Sequence, residues 1–154
     1  MSPAITTLCT LLALLSVHHS YAANYYTNSP YVRELTSTRD FQQTVLNSNT
    51  GWIVQFYRDT CPYCHRFIGD FTEFARQAQP YAGHFRVAAV NCNASANRQC
   101  CWENHIRSVP GIRFFPRYSH SSSAGVQMDA GHTSQRTPSK LWSFVHQNLS
   151  GRKR

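Results

Sequence analysis

The densest run of apolar residues lies at 52–57, where Trp-Ile-Val-Gln-Phe-Tyr contains a single polar side chain. Aromatic and β-branched residues spaced this closely predict a strand in the centre of a sheet, buried on both faces. A second apolar run at 85–90 predicts another buried strand. Three shorter strands are predicted at residues 31–35, 112–115 and 126–130. The first of them is expected at an edge of the sheet.

Between these strands, apolar residues recur at the spacing of amphipathic helices. Helices are predicted at 36–46, 61–79, 96–106 and 137–149. The first and last begin at Ser or Thr residues that can act as N-caps, and the second begins at a Cys-Pro step that favours a helix start. The resulting order, β-α-β-α-β-α-β-β-α, predicts one α/β domain at 31–149 with helices on both faces of the sheet.

The first 22 residues do not fit this domain and are typical of a secretory signal peptide. The apolar run at 8–17 is too short to span a bilayer, and the small residues of Ser20-Tyr21-Ala22 precede a cleavage site. A membrane anchor and a buried helix are the alternatives. We therefore expect a signal peptide at 1–22, a leader at 23–30 and a basic tail at 150–154.

Export would bring the mature chain into an oxidising compartment, either outside the cell or in the lumen of the endoplasmic reticulum. No later segment is apolar for long enough to cross a membrane. Two acceptor sequons, at Asn93 and Asn148, agree with this route and predict glycosylation.

The formal net charge of +8 belongs entirely to the chain after the signal peptide and changes the expected partners. A surplus of basic residues favours acidic surfaces, such as sulfated glycans or anionic lipid headgroups. A solvated basic surface without any such partner is the alternative. Nucleic acid is not predicted, because the basic residues are scattered and the route is secretory.

The clearest candidate chemistry lies in Cys61-Pro62-Tyr63-Cys64. Thiol–disulfide exchange needs one thiolate that attacks and a second thiol close enough to release the substrate. Unpaired N–H groups at a helix N-terminus stabilise a thiolate, and Cys61 is expected at such a position. Cys64 lies one turn into the same helix, Pro62 stiffens the loop, and His65 adds positive charge.

Two other interpretations of this cysteine pair are a zinc half-site and an inert structural bridge. Zinc would need ligands such as His65 or His105, because the chain has no second Cys-x-x-Cys. The histidines show no ligand spacing. Neither a metal site nor a cofactor is predicted.

Four stretches of the sequence resemble one known family: Trp-Ile-Val-Gln-Phe-Tyr at 52–57, Cys-Pro-Tyr-Cys at 61–64, Val-Asn-Cys at 90–92 and Val-Pro-Gly-Ile-Arg-Phe-Phe at 109–115. With them, most of the mature chain resembles the thioredoxin domain of protein disulfide isomerases, and most of all the first thioredoxin domain of quiescin sulfhydryl oxidases.

This resemblance implies the thioredoxin fold, in which a central mixed β-sheet is flanked by helices on both faces. It also implies that Cys61 attacks and that Cys64 resolves the mixed disulfide. Pro110 would be a cis proline beside them, and the backbone of Val109 would pair with the substrate peptide. Proline is the residue that takes a cis bond at low cost, which makes this role reasonable for Pro110.

The chain departs from that family at residues that tune the exchange. Isomerase-type members carry Gly-His between the cysteines, whereas Pro62-Tyr63 resembles the glutaredoxin dipeptide. Gln55 occupies the place of a buried acid, Thr60 that of a usual tryptophan and Gly111 that of a common threonine. The helical flavin domain of sulfhydryl oxidases is absent from this sequence, so we expect an external thiol or disulfide partner.

Outside the motif, the resemblance implies a structural disulfide between Cys92 and Cys101, in preference to Cys92–Cys100. Removal of Cys9 with the signal peptide leaves five of the six cysteines, an odd number. Cys100 would then be unpaired, and it is a candidate for a covalent dimer.

Together these inferences predict a thiol–disulfide oxidoreductase of protein substrates. A thioredoxin-fold binding or effector module with little turnover is the alternative, because Pro62-Tyr63 and Gln55 depart from the isomerase pattern. A glutathione-dependent activity of the glutaredoxin kind is a third hypothesis.

Overall fold

The computed structural model of the protein describes residues 22–122, 125–129 and 136–150, without the side chain of Ser150. Most of the predicted signal peptide (1–21), Ala130 of the predicted last strand, His132 and residues 151–154 of the basic tail lie outside this range. The strands are β1 (Arg33–Leu35), β2 (Gly51–Tyr57), β3 (Phe85–Asn91), β4 (Gly111–Phe115) and β5 (Val126–Gln127); the α-helices are α1 (Thr38–Val45), α2 (Pro62–Ala78), α3 (Arg98–Glu103) and α4 (Pro138–Ser150).

The strands form one mixed sheet in the order β1-β3-β2-β4-β5. β1, β3 and β2 are parallel, whereas β4 runs antiparallel to β2 and β5 antiparallel to β4. All seven residues of β2 are buried, as expected for the central strand of a covered sheet. The predicted α/β class and mixed central sheet are confirmed.

Alternate residues of β2 point to opposite faces of the sheet and belong to two separate hydrophobic cores. Ile53 and Tyr57 pack with α2 and α4, whose buried residues include Phe71. Val54 and Phe56 lie in the other core, with apolar residues of α1 and α3. The helices therefore cover both faces of the sheet, and the aromatic spacing along α2 serves core packing.

The third helix is shorter than the predicted 96–106, because its C-terminus is closed by a left-handed residue. His105 has a φ of 53°. The amide of His105 donates to the Trp102 carbonyl, and that of Ile106 donates to the Cys101 carbonyl. This is the Schellman arrangement, in which the left-handed residue is usually glycine. Because a histidine occupies that position here, the sequence did not indicate where the helix ends.

The predicted leader, residues 23–30, packs against the domain; we call it the N-terminal segment. Tyr26 is only 1% exposed and belongs to the core between the sheet and α2. Its ring meets those of Tyr57 and Phe71 edge-on, each at a centroid distance of 5.8 Å. The segment has no periodicity, so its sequence did not indicate this burial.

We predict opposite effects on stability from adding one methyl group at two glycines. At Gly69, on α2, a Cβ would meet nothing within 4 Å, whereas at Gly51 it would lie 2.8 Å from the Phe114 ring. Gly69→Ala should raise the free energy of unfolding by about 0.5–1 kcal/mol, because alanine favours the helix. Gly51→Ala should lower it by about 1–3 kcal/mol through overpacking.

Urea unfolding at an unchanged m-value measures both effects. A destabilised Gly69→Ala protein would contradict an open helix face at this residue. An unchanged Gly51→Ala protein would contradict close packing against Phe114.

Candidate active site

Cys61 is the N-cap of α2, at the end of the connection from the central strand. Pro62 follows it in the first helical position, where the missing N–H costs no intrahelical hydrogen bond. The sulfur of Cys61 accepts a hydrogen bond from the Cys64 amide at 3.2 Å. A backbone donor at a helix N-terminus stabilises negative charge on this half-buried sulfur.

The loop before β4 lies against the same helix N-terminus. The Val109–Pro110 peptide bond is cis, and the Cys61 sulfur is 3.8 Å from the Val109 carbonyl oxygen. Pro110 is buried and Val109 is half-buried. The structure therefore brings together Cys61, Cys64, Val109 and Pro110, four residues that the sequence places in two distant segments.

The two sulfurs of the motif have different surroundings. Cys64 is fully buried, and its loss of solvent raises the pKa of its thiol to about 12, helped by its hydrogen bond to the Cys61 sulfur. A thiol with so high a pKa is almost entirely protonated at neutral pH. In the reduced protein Cys61 is thus the accessible sulfur and Cys64 the protected one.

Arg136 is a residue of this site that the sequence analysis missed. Its guanidinium is buried and donates to the Pro110 carbonyl, so it joins the residues before α4 to the cis-proline loop. Burial lowers the pKa of Arg136, whereas the neighbouring Cys64 sulfur raises it. In return, the positive charge favours the Cys64 thiolate. A lone arginine outside any periodic pattern gave no signal of this role.

Gln55 lies on β2 and is fully buried. Its Oε1 accepts a hydrogen bond from the Tyr26 hydroxyl at 2.5 Å, and its Nε2 has no hydrogen-bond partner among the described residues. Burial raises the pKa of Tyr26, and the charges of Glu34 and Cys64 raise it further. The phenol therefore stays protonated and acts as a donor to Gln55.

Glu34, on β1, is a half-buried carboxyl that the sequence did not indicate. Its Oε1 accepts from the Tyr57 hydroxyl at 2.9 Å, and its Oε2 accepts from the Tyr26 amide at 3.0 Å. The Tyr57 hydroxyl in turn accepts from the Tyr25 amide at 3.0 Å. Burial raises the pKa of Glu34 to about 7, although both hydrogen bonds oppose the shift.

The outer face of the first turn of α2 is aromatic and cationic. Tyr63 is 55% exposed, and the guanidinium of Arg66 lies 4.5 Å from the centre of its ring, a cation–π contact. His65 is exposed, with its ring edge-on to Tyr25 at 5.9 Å. These side chains lie at the start of α2, directly after Cys61.

Two of the other cysteines form a disulfide, with a Cys92–Cys101 sulfur distance of 2.05 Å, between the residue after β3 and α3. Cys100 is unpaired but fully buried, and burial raises the pKa of its thiol to about 12. The covalent dimer through Cys100 stays a prediction, and it would require this thiol to leave its buried position.

The two sequon asparagines have different surroundings. Asn93 is exposed, and its Nδ2 donates to Asp59 Oδ1 at 2.5 Å and to Thr60 Oγ1 at 3.1 Å. Asn148 is half-buried in α4, where its Nδ2 donates to the Phe144 carbonyl at 2.8 Å. Asn93 is thus the more accessible of the two acceptor sites.

Within residues 22–122, 125–129 and 136–150, no three His, Cys, Asp or Glu side chains are grouped so that they could hold a metal ion. No helix in the same ranges combines the length and apolar character needed to cross a membrane.

Comparison with known proteins agrees with this geometry. The family model for Thioredoxin matches residues 32–135. The chain is 30% identical over 105 residues to the protein disulfide-isomerase MPD1 of Saccharomyces cerevisiae, covering 68% of this chain and 32% of that protein. It is 28% identical over 120 residues to sulfhydryl oxidase 1 of Cavia porcellus, covering 78% of this chain and 19% of that protein.

A solved structure shows the same fold. The crystal structure of the J-Trx1 fragment of ERdj5 matches with a TM-score of 0.67 at 26% sequence identity, covering 84% of this chain and 57% of that one. The chain spans about a third or less of the two curated relatives named above.

We predict that Cys61 is alkylated before the other unpaired cysteines. Iodoacetamide in limiting amount at pH 6–7, followed by peptide mass mapping of the reduced protein, should label Cys61 first, because Cys64 and Cys100 are buried. In a Cys64→Ser variant, mixed disulfides should accumulate on Cys61. First labelling of Cys64 would reverse the assigned roles.

We also predict that Glu34 makes stability fall as the pH rises. Its pKa of about 7 in the fold exceeds the ordinary 4.5, so the folded protein binds more protons than the unfolded chain between these values. The free energy of unfolding should therefore decrease from about pH 4.5 to 7, by at most about 1.4 kcal/mol per pH unit.

Glu34→Gln should remove this slope in urea titrations at several pH values. Glu73→Gln is the matched control, because Arg76 holds the pKa of Glu73 at about 2, outside this window. An unchanged slope in Glu34→Gln would mean that the carboxyl is solvated in the fold.

Proposed function

Since this chain belongs to the thioredoxin family, we propose that it is a thiol–disulfide oxidoreductase that acts on protein disulfides through Cys61 and Cys64. The observation that carries the proposal is the N-cap geometry: the Cys64 amide donates to the Cys61 sulfur at 3.2 Å, beside the cis Val109–Pro110 bond. This geometry supports attack by Cys61, because its sulfur is only half-buried and accepts a backbone hydrogen bond.

The reaction proceeds by two sulfur displacements. The Cys61 thiolate attacks one sulfur of a substrate disulfide; that S–S bond breaks, a mixed disulfide forms and the first substrate thiolate leaves. Cys64 then loses its proton and attacks the Cys61 sulfur, which releases the second substrate thiolate. Two electrons have passed to the substrate, and an external dithiol must reduce the Cys61–Cys64 disulfide again.

The cis-proline loop supports the first displacement. The Val109 carbonyl lies 3.8 Å from the attacking sulfur, so an extended peptide that pairs with this backbone would bring its disulfide to Cys61. The exposed Tyr63 and the Arg66 guanidinium over it would contact the same substrate from the side of α2.

Loss of the Cys64 proton is the demanding step, because that thiol is buried and has a pKa of about 12. Arg136 favours the thiolate, but Gln55 cannot accept a proton. This combination also supports the second candidate, a binding module that captures partners on Cys61 and releases them slowly.

We further propose that the mature chain belongs to the secretory route, either secreted or in the lumen of the endoplasmic reticulum. The signal-peptide pattern and the exposed sequon at Asn93 support this location. The net charge of +8 supports contact with acidic glycans or anionic membrane surfaces.

Reduction of insulin by dithiothreitol, compared with reduction of a glutathione mixed disulfide, tests the activity. An oxidoreductase of proteins should accelerate the first reaction more than the second, and Cys61→Ser should abolish the acceleration. Mixed disulfides that form on Cys61 without turnover would favour the binding module. Preference for the glutathione substrate would favour the glutaredoxin-like activity.

We predict that Gln55→Glu accelerates the resolving step. A buried carboxyl has a pKa nearer neutrality and can accept the Cys64 proton. In single-turnover experiments from pH 6 to 8, the mixed disulfide should decay roughly tenfold faster, with a loss of about 1–3 kcal/mol in stability from the buried acid.

Gln55→Leu is the control, because it keeps the residue buried without a titratable group. Tyr26→Phe in the Gln55→Glu background removes the donor at 2.5 Å and should raise the pKa of the new acid. A folded Gln55→Glu protein that resolves no faster at any pH would mean that another group already carries the proton.

A further inference from the structure

The loop that leads into Cys61 is held by the N-terminal segment rather than by the domain alone. The Ala23 amide nitrogen lies 2.8 Å from Asp59 Oδ2, and the Tyr25 hydroxyl donates to the Asp59 carbonyl at 2.6 Å. On its other side, Asp59 Oδ1 accepts from Asn93 Nδ2 at 2.5 Å. Asp59 is therefore bound through both carboxylate oxygens and its backbone carbonyl.

The position of Ala23 is fixed by separate contacts. The Asn91 side-chain amide donates to the Ala23 carbonyl at 3.2 Å. Two residues further on, Tyr25 stacks on Tyr57 with ring centroids 4.7 Å apart. The bond to the Ala23 carbonyl and the stacking of Tyr25 together fix the backbone on which the Ala23 nitrogen lies. That nitrogen points at the carboxylate of Asp59.

Ala23 is the residue that would follow the predicted cleavage site. We propose that Asp59 is the binding site for the α-ammonium group of Ala23, which is set free when the signal peptide is removed, and that this ion pair positions the active-site loop. A signal peptidase would hydrolyse the Ala22–Ala23 peptide bond with one water molecule. The released signal peptide then ends in the carboxylate of Ala22. The mature chain begins with the amine of Ala23, which takes up a proton.

Charge supports this pairing. Within the part of the chain that the structure describes, Asp59 makes no salt bridge with a side chain; the ion pairs found there are Arg33–Asp40 and Arg76–Glu73. Before cleavage, a neutral amide donates a single hydrogen bond to Asp59. After cleavage, the same nitrogen carries a full positive charge and three protons, so the hydrogen bond becomes charge-assisted.

The consequence concerns Cys61, two residues after Asp59, and so it depends on the proposed exchange function. The loop that carries Asp59 leads directly into Cys61, the N-cap of α2, so the contacts that hold Asp59 also position the Cys61 sulfur. A charge-assisted bond from the Ala23 ammonium holds Asp59 more firmly than a neutral amide does. The mature chain should therefore have a more reactive Cys61 than a chain that still carries residues ahead of Ala23.

A set of four proteins tests the proposal: the chain starting at Ala23 and the chain with Gly-Ser ahead of Ala23, each with Asp59 or with the Asp59→Asn substitution. In the Ala23 form, the α-amino group, followed by NMR with labelled alanine, should titrate about half a unit higher with Asp59 than in the Asp59→Asn variant. Cys61 should be alkylated about two- to threefold faster with the free amine, but only when Asp59 is present.

Asp70→Asn is the matched control for charge, because Asp70 is exposed on α2 and makes none of these contacts. It should leave both readouts unchanged. Thermal unfolding of all variants checks that they are folded. An amine titration that Asp59→Asn leaves unchanged, or a secreted protein whose first residue is not Ala23, would overturn the proposal.

The outcomes separate this proposal from the proposed function. If the amine titration depends on Asp59 while no variant reduces insulin, the ion pair stands and the oxidoreductase function fails. If insulin is reduced equally by all four proteins and Asp59→Asn leaves the titration of the Ala23 amine unchanged, the function stands and the ion pair fails.

Discussion

The hydrogen bond from the Cys64 amide to the Cys61 sulfur is the interaction on which the site depends, because it requires Cys61 to be the N-cap of α2. One turn further along the same helix, a side chain must point into the core, and Cys64 is accordingly fully buried. A single helix start thus produces two unequal thiols. The cis Val109–Pro110 bond closes the other side of the entrance, and Arg136 holds that loop through the Pro110 carbonyl.

Behind this pair, the buried polar groups are arranged differently from what the resemblance implies. The residue on β2 is the neutral, buried Gln55, whereas the half-buried Glu34 on β1 carries the carboxyl. The two carboxyl oxygens of Glu34 accept hydrogen bonds from the Tyr26 amide and the Tyr57 hydroxyl, and these bonds help to fix the N-terminal segment. Because that carboxyl is bound to backbone and phenol donors, it does not replace an acid beside Cys64.

The fold and the position of Cys61 at a helix start could be predicted because local signals specify them: dense apolar strands, a Cys-Pro step and a Val-Pro step. Other features depend on contacts between distant residues. Arg136 acquires its role only when its guanidinium reaches the Pro110 carbonyl, and Glu34 only when the Tyr26 amide donates to it. The end of α3 was missed for another reason, since His105 takes a left-handed conformation that glycine usually marks.

The thioredoxin match begins at residue 32, yet the N-terminal segment before it contributes directly to the site. The Tyr25 hydroxyl donates a hydrogen bond to the Asp59 carbonyl, and the Tyr25 ring contacts the His65 ring. The Tyr26 hydroxyl donates to Gln55 Oε1. A domain cut at residue 32 would keep both cysteines but would expose Gln55 and leave Glu34 without the Tyr26 amide. The family pattern therefore accounts for the class of chemistry, whereas the segment outside it determines how the loop before Cys61 is held and how the buried polar groups are paired.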